Sequence, residues 1–149
     1  MKIVWLAGAA VLTIVAGIWA WPSPSGGPAK IDIENAAHVA YGNTLYAQQC
    51  ASCHGRNLEG QTPNWRQRLP DGSIPAPPHD ASGHTWHHPD QMLFEVTKFG
   101  RAKQGITSNM PGFQNVLSDR QIWAVLSYIK STWPAGVRRR HDSINRRNQ

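Results

Sequence analysis

The sequence predicts a mainly α fold, a single helical domain of about one hundred residues lying between Ile33 and Pro134. Three observations carry that expectation. "LSDRQIWAVLSYIKSTWP" holds a helix-start signature followed by apolar residues at helical spacing. "HHPDQMLFEVTKFG" opens a shorter helix on Pro-Asp and closes it on Gly. No alternating apolar and polar run of useful strand length occurs in that span.

The chain begins "MKIVWLAGAAVLTIVAGIWAW". After Lys2, about 19 residues from Ile3 to Trp21 carry no charge, and at 1.5 Å per residue they span roughly 28 Å, close to a hydrocarbon core of about 30 Å. A cleaved signal peptide has a shorter apolar region and a small-residue cleavage site. Here Trp19 and Trp21 stand where that site would be, and they suit a membrane interface. Residues 1–21 are therefore expected to be an uncleaved transmembrane anchor with Lys2 inside, a signal sequence being the other reading; on either, the rest is exported. The anchor places a single-pass protein in a bacterial inner membrane with its domain on the periplasmic side. "PSPSGGPAK" follows, without apolar periodicity, so residues 22–35 are expected to form a flexible linker.

The domain, 36–134, then reads as helices separated by long loops. Ala36 to Cys53 carries Val39, Leu45 and Tyr46 and is expected to run as one helix into "CASCHG". Gly42 in its interior costs about 1 kcal/mol relative to alanine, which either a close helix crossing or plain tolerance accounts for. In the second helix Pro89 suits the first helical position, Asp90 the positive end of the dipole, and Gly100 the stop. In the last helix Ser118 and Gln121 form an S-x-x-Q capping box, with Leu117 and Ile122 placed as a hydrophobic staple. Ile122, Val125, Leu126, Ile129 and Trp133 then line one face, which is core, and Pro134 ends the helix.

Charge is concentrated at the end. The net charge is +6, yet residues 36–134 hold eight Lys or Arg against six Asp or Glu. The segment 135–149, "AGVRRRHDSINRRNQ", has five arginines against Asp142 and is expected to be a basic, solvated, disordered tail, with contact to an acidic partner or anionic lipid as the other reading. Nucleic acid is not an expected partner of an exported domain.

The chemistry is concentrated in "CASCHG", which contains both cysteines of the chain. A structural zinc site wants four N or S ligands, and no second Cys pair exists. A thioredoxin-like thiol pair wants a βαβ setting, and a short Cys-x-x-Cys disulfide leaves His54 without a role. Covalent attachment of haem c uses all three residues: Cys50 and Cys53 as thioethers and His54 as the proximal iron ligand. For the other side of the iron the sequence offers Met92, Met110, His38, His79, His84, His87 and His88. Met92 sits in a helix beside Leu93 and Phe94, where core filling is the plainer reading. Met110, in the loop "GITSNMPGF", has no such explanation.

"GNTLYAQQCASCHG", "NMPGF" and "LSDRQIWAVLSYIKSTWP", in this order, resemble the three signatures of class I mono-haem cytochromes c. The resemblance covers most of 36–134 and implies a cytochrome c fold: first and last helices crossing, one haem c wedged in a crevice, one haem edge near solvent. It implies Cys50 and Cys53 as attachment residues, His54 as proximal and Met110 as distal ligand. It matches Gly42 and Tyr46 to the crossing face of the first helix, and Trp123 and Tyr128 to aromatic positions of the last. It also implies that a proline carbonyl, from Pro77 or Pro78, accepts a hydrogen bond from the proximal histidine and tunes it.

His84, His87 and His88 form an H-x-x-H-H group, read either as a polar loop and helix cap or as a second metal site or bis-histidine haem ligation. With imidazole and thioether filling both axial positions, the expected activity is outer-sphere one-electron transfer, not turnover of a substrate. The expected partners are the membrane and redox proteins such as a quinol-oxidising complex, an oxidase or another periplasmic oxidoreductase of a respiratory chain. Two other readings stand beside the tethered carrier. One is a fixed haem subunit of a membrane oxidoreductase complex; the other, which requires a displaceable Met110, is a sensing or peroxidase-like haem domain.

Overall fold

The computed structural model describes residues 29–101 and 108–148. The expected anchor, the first part of the linker and Gly105 lie outside the described residues. Among the described residues no helix is long and apolar enough to cross a membrane.

Five α-helices and one 3₁₀ turn make up the regular structure, and no strand occurs among the described residues. In order they are α1 (Ala36–Gln49), α2 (Ala51–His54), the 3₁₀ turn (Thr85–His87), α3 (Asp90–Phe99), α4 (Asp119–Ser131) and α5 (Ala135–Arg147). The helix expected to run unbroken from Ala36 to Cys53 is therefore two, divided at Cys50, whose φ of −116° departs from helical geometry.

The domain starts earlier than the expected linker boundary at residue 35. The Asp32 N–H donates to Ser127 Oγ on α4 at 2.9 Å, and the Asp32 carboxylate accepts from the Glu34 and Asn35 N–H groups. Asn35 in turn caps α1, its side chain accepting from His38 N–H at 3.0 Å. Ile31 packs on the core. These hydrogen bonds hold residues 31–35 on the domain, within the bounds expected of the linker.

α4 forms as its signature requires. Ser118 and Gln121 make both bonds of the capping box, and Gln121 Nε2 also donates to the Tyr41 hydroxyl of α1 at 2.8 Å. Leu117, Ile122, Val125, Leu126, Ile129 and Trp133 are all buried. The Phe94 ring of α3 stacks on Trp123 of α4 at 4.4 Å, and Tyr46 of α1 tilts against Tyr128 at 5.4 Å. α1 and α4 cross at Gly42, where a Cβ would overlap the Ala124 carbonyl and come within 3.1 Å of Tyr128 Cβ. The glycine is required by close approach, not merely tolerated.

α3 begins one residue later than expected: Pro89 is its N-cap, with ψ of 156°, and Gly100 ends it with φ of +73°. Met92, expected as core filler, is exposed, because the inward positions of this ten-residue helix fall on Leu93, Phe94 and Thr97.

The largest departure is at the end of the chain. The segment after Pro134, expected as a disordered tail, is the 13-residue helix α5, with Pro134 as its N-cap. Its inner face explains the difference. His141 is wholly buried; its Nε2–H donates to the His88 carbonyl at 3.0 Å and lies 3.3 Å from the Asp90 carboxylate, and its ring meets Trp133 edge-on. Asn145 accepts from the Asp90 N–H at 2.7 Å and donates to its carboxylate at 3.0 Å, while Asp142 pairs with Lys130 at 2.6 Å. Arg138 donates to the carbonyls of Ser131 and Trp133. The polar residues that read as a solvated run are thus anchors, and only Arg139, Arg140, Arg146 and Arg147 are fully exposed among its arginines.

Asn145→Ala removes both bonds to Asp90. It is expected to cost about 1–3 kcal/mol, read as a lower midpoint in denaturant unfolding. An unchanged midpoint would mean that α5 is not part of the cooperative unit.

Candidate functional site

α1 delivers Cys50 to the end of its last turn, where the Cys50 N–H bonds back to the Tyr46 carbonyl. The Cys50 carbonyl then accepts from the N–H groups of Cys53 at 3.1 Å and His54 at 2.9 Å. The two thiols and the imidazole therefore occupy positions i, i+3 and i+4 of a single helical turn, where side chains share a face. Gly55 takes φ of +81° to leave that turn, and its carbonyl accepts from the Tyr46 hydroxyl at 2.8 Å. Burial, chiefly, raises the Tyr46 phenol far above its ordinary range and keeps it a donor.

Cys50 and Cys53 are free thiols, Cys50 partly buried and Cys53 exposed. Burial, with Cys53 beside it, pushes the Cys50 thiol up to about 12. A thiol held protonated is the opposite of what a redox-active thiolate pair needs. The surroundings are helical, and among the described residues no group of three His, Cys, Asp or Glu side chains is placed to hold a metal ion.

His54 is nearly closed off, at 6% exposure. Its Nδ1 lies 2.9 Å from the Pro77 carbonyl, to which it donates. That bond assigns the proton to Nδ1 and leaves the Nε2 lone pair bare, the tautomer an axial iron ligand requires. Burial lowers the His54 pKa and the Pro77 bond opposes it. Of the two candidate prolines, Pro77 faces His54. The Pro78 carbonyl instead accepts from Thr85 Oγ1 at 3.4 Å.

The loop after α2 makes this meeting possible. The Gly60 N–H bonds to the His54 carbonyl at 2.8 Å, Gln61 N–H to Ala76 O at 2.9 Å, and His79 N–H to Leu58 O at 2.8 Å. Pro78 is pinched between two backbones: a Cβ on Gly60 would come within 2.7 Å of its nitrogen, and a Cβ on Gly83 would overlap its carbonyl.

Met110 stands on a separate loop, which is fixed to the end of α3. Phe113 N–H donates to Thr97 O at 3.1 Å, Gln114 N–H to Lys98 O at 3.0 Å, and the backbones of Gly100 and Gly112 approach too closely for side chains. The Met110 N–H donates to Ser108 Oγ at 3.2 Å, and the residue is half-buried.

The H-x-x-H-H histidines do not converge. His84 stacks on Trp65 at 4.9 Å and meets His88 edge-on at 5.2 Å, whereas exposed His87 lies against Trp86. Burial first, then His88 and Arg101, push His84 down to about 4. His38 is buried in the first turn of α1 and held below its ordinary value by that burial.

His79, which the sequence offers for the other side of the iron, lies instead against His54. Its ring stacks on His54 with centroids 4.0 Å apart and planes 22° apart. Burial, followed by the neighbouring His54 and His84, holds its pKa well below the ordinary value. Nothing in the spacing of "PAPPHD" announces this contact.

The donor set fits haem c: two thiols on one turn with an imidazole whose Nε2 is free, and a thioether on a second, anchored loop. Comparison with protein-family models matches residues 39–133 to cytochrome c. No match was found among curated proteins or among solved structures. The matched span runs from within α1 through α4 and ends before α5. With nearly two thirds of the chain matched, from the first helix through the "CASCHG" turn to Trp133, the chain belongs to the cytochrome c family and is a haem c protein.

Proposed function

We propose that this chain carries single electrons through one haem c with His54 and Met110 as axial ligands, tethered by residues 1–21 to a bacterial inner membrane with its domain on the periplasmic side. The observation that carries the reading is the 2.9 Å bond from His54 Nδ1 to the Pro77 carbonyl, which presents a bare Nε2 on the turn that bears both thiols.

Haem c, when bound, supplies an iron that alternates between ferric and ferrous states. Cys50 and Cys53 fix the porphyrin to the chain. His54 would ligate the iron, its basicity raised by donation to Pro77. Met110 would supply a second ligand, a soft donor that favours the ferrous state. With both ligands in place no site would remain for substrate, and outer-sphere transfer would be the activity. The long uncharged run from Ile3 to Trp21 supports the tether. The exposed arginines of α5, which have no carboxylate partner among the described residues, support docking to acidic faces of redox proteins such as a quinol-oxidising complex, an oxidase or another periplasmic oxidoreductase.

The test is the optical spectrum of the haem-loaded protein in both redox states, with and without carbon monoxide, beside Met110→Ala. The expected parent spectrum is low-spin and indifferent to carbon monoxide, with a methionine-to-iron charge-transfer band that the variant loses. Carbon monoxide binding to the unmutated ferrous protein would overturn Met110 ligation in favour of a sensing or peroxidase-like site.

A further inference from the structure

The orientation of a proximal imidazole is set by what touches its edge and what covers its face. The His54 ring turns about its Cβ–Cγ bond, and the contact of Nδ1 with the Pro77 carbonyl, off that axis, restrains the turn from the ring edge. The second contact is the flat face of His79, 4.0 Å away and 22° from parallel.

His79 is itself clamped on three sides. Its N–H donates to the Leu58 carbonyl at 2.8 Å, and its carbonyl accepts from Trp133 Nε1 at 2.7 Å. Its Nδ1 lies 2.8 Å from Thr85 Oγ1. That hydroxyl donates to the Pro78 carbonyl, so it accepts from His79, and the His79 proton sits on Nδ1. Both stacked rings thus carry a proton on Nδ1, and the His79 ring is held by the Thr85 hydroxyl. Trp133 belongs to the segment that follows α4, so the clamp reaches from the haem-motif loop to the far side of the core.

We propose that His79 is a positioning residue for the proximal ligand: its stacked imidazole holds the face of His54, as Pro77 holds its edge, and lowers the reduction potential of the haem. The inference rests on the reading that His54 ligates the iron. An imidazole bound to ferric iron is more electron-poor than one bound to ferrous iron, and a polarisable ring on its face relieves that state. The stack favours ferric iron, and its removal raises the potential.

The test compares the haem-loaded full chain with His79→Leu, which keeps most of the volume without a flat face, and with Thr85→Val, which keeps the stack but frees the His79 ring. For His79→Leu the redox equilibrium with a common mediator is expected to shift by up to about tenfold toward the reduced form, equivalent to 59 mV for one electron. The ferric electron paramagnetic resonance g-values are expected to move with it. Thr85→Val is expected to shift both in the same direction by less, and it carries the test alone should His79→Leu not load haem.

A variant that melts earlier with potential and g-values unchanged would overturn the proposal and make His79 a packing residue. Failure of the underlying reading has a separate signature: the unmutated protein would lack axial-imidazole resonances altogether, and the proposal would fall with it.

Discussion

Gly42→Ala is expected to lower the unfolding free energy of the haem-loaded protein by about 3 kcal/mol, although alanine is the better helix former by about 1 kcal/mol. The added Cβ overlaps the Ala124 carbonyl, and backbone cannot rotate away as a flexible side chain would. The helices must separate along the crossing that buries Leu45, Tyr46, Ala124 and Val125. For a domain of this size that loss corresponds to a fall in Tm of roughly 12–24 °C. Gly136→Ala is the control. It lies near the start of α5, where an added Cβ meets nothing nearer than an Arg139 side-chain nitrogen at 3.9 Å. The same exchange there is neutral or stabilising by up to about 1 kcal/mol. Equal melting of the two variants would show that α1 and α4 do not cross as described.

Acidification is expected to destabilise the protein well before its carboxylates titrate. Burial, as the first cause in each case, lowers the pKa of His38, His84, His88 and His141, with His84 pushed down to about 4. Asp90, 3.3 Å from His141, acts in the opposite direction without reversing it. A histidine lowered in the folded state binds its proton more readily when unfolded, so stability rises with pH. The contribution is fully present above the unfolded value near 6.5 and is lost as pH falls below it toward the folded values. Between pH 6.5 and 5.5 a strongly lowered histidine costs at most about 1 kcal/mol. His84 and His88 are partly exposed and count for less, so a total of about 2 kcal/mol is expected for the four. Unfolding curves at pH 7.5 and 5.5 test this. A stability that is flat or higher at pH 5.5 would mean that these rings are charged in the fold. His84→Gln should make the acid limb shallower.

What could be read from sequence was what short spacing encodes. The capping box of Ser118 and Gln121 and the face from Ile122 to Trp133 are local, because a helix converts spacing of three and four into one surface. The turn that groups Cys50, Cys53 and His54 is local for the same reason. Pairings across long loops were not legible. Neither the choice of Pro77 over Pro78 nor the stacking of His79 on His54 follows from residue type, because both depend on how the segment after Gly55 folds back. α5 was misjudged because its polarity is that of a solvated tail. Its buried contacts are made by His141, Asn145 and Asp142, whose partners lie on α3, α4 and the chain before α3.

The bond from the Asp32 N–H to Ser127 Oγ joins residues 95 apart in the chain. Its consequence is mechanical. Ser127 is wholly buried in the middle of α4 and is braced by its own bond to the Trp123 carbonyl at 2.7 Å. A pull on the amino-terminal side of the domain therefore meets the most deeply packed helix first. Only after that catch is broken, and the Asn35 cap behind it, does the load reach α1 and the turn at its end. Such a load would be taken up at the opposite end of α1 from Cys50, Cys53 and His54.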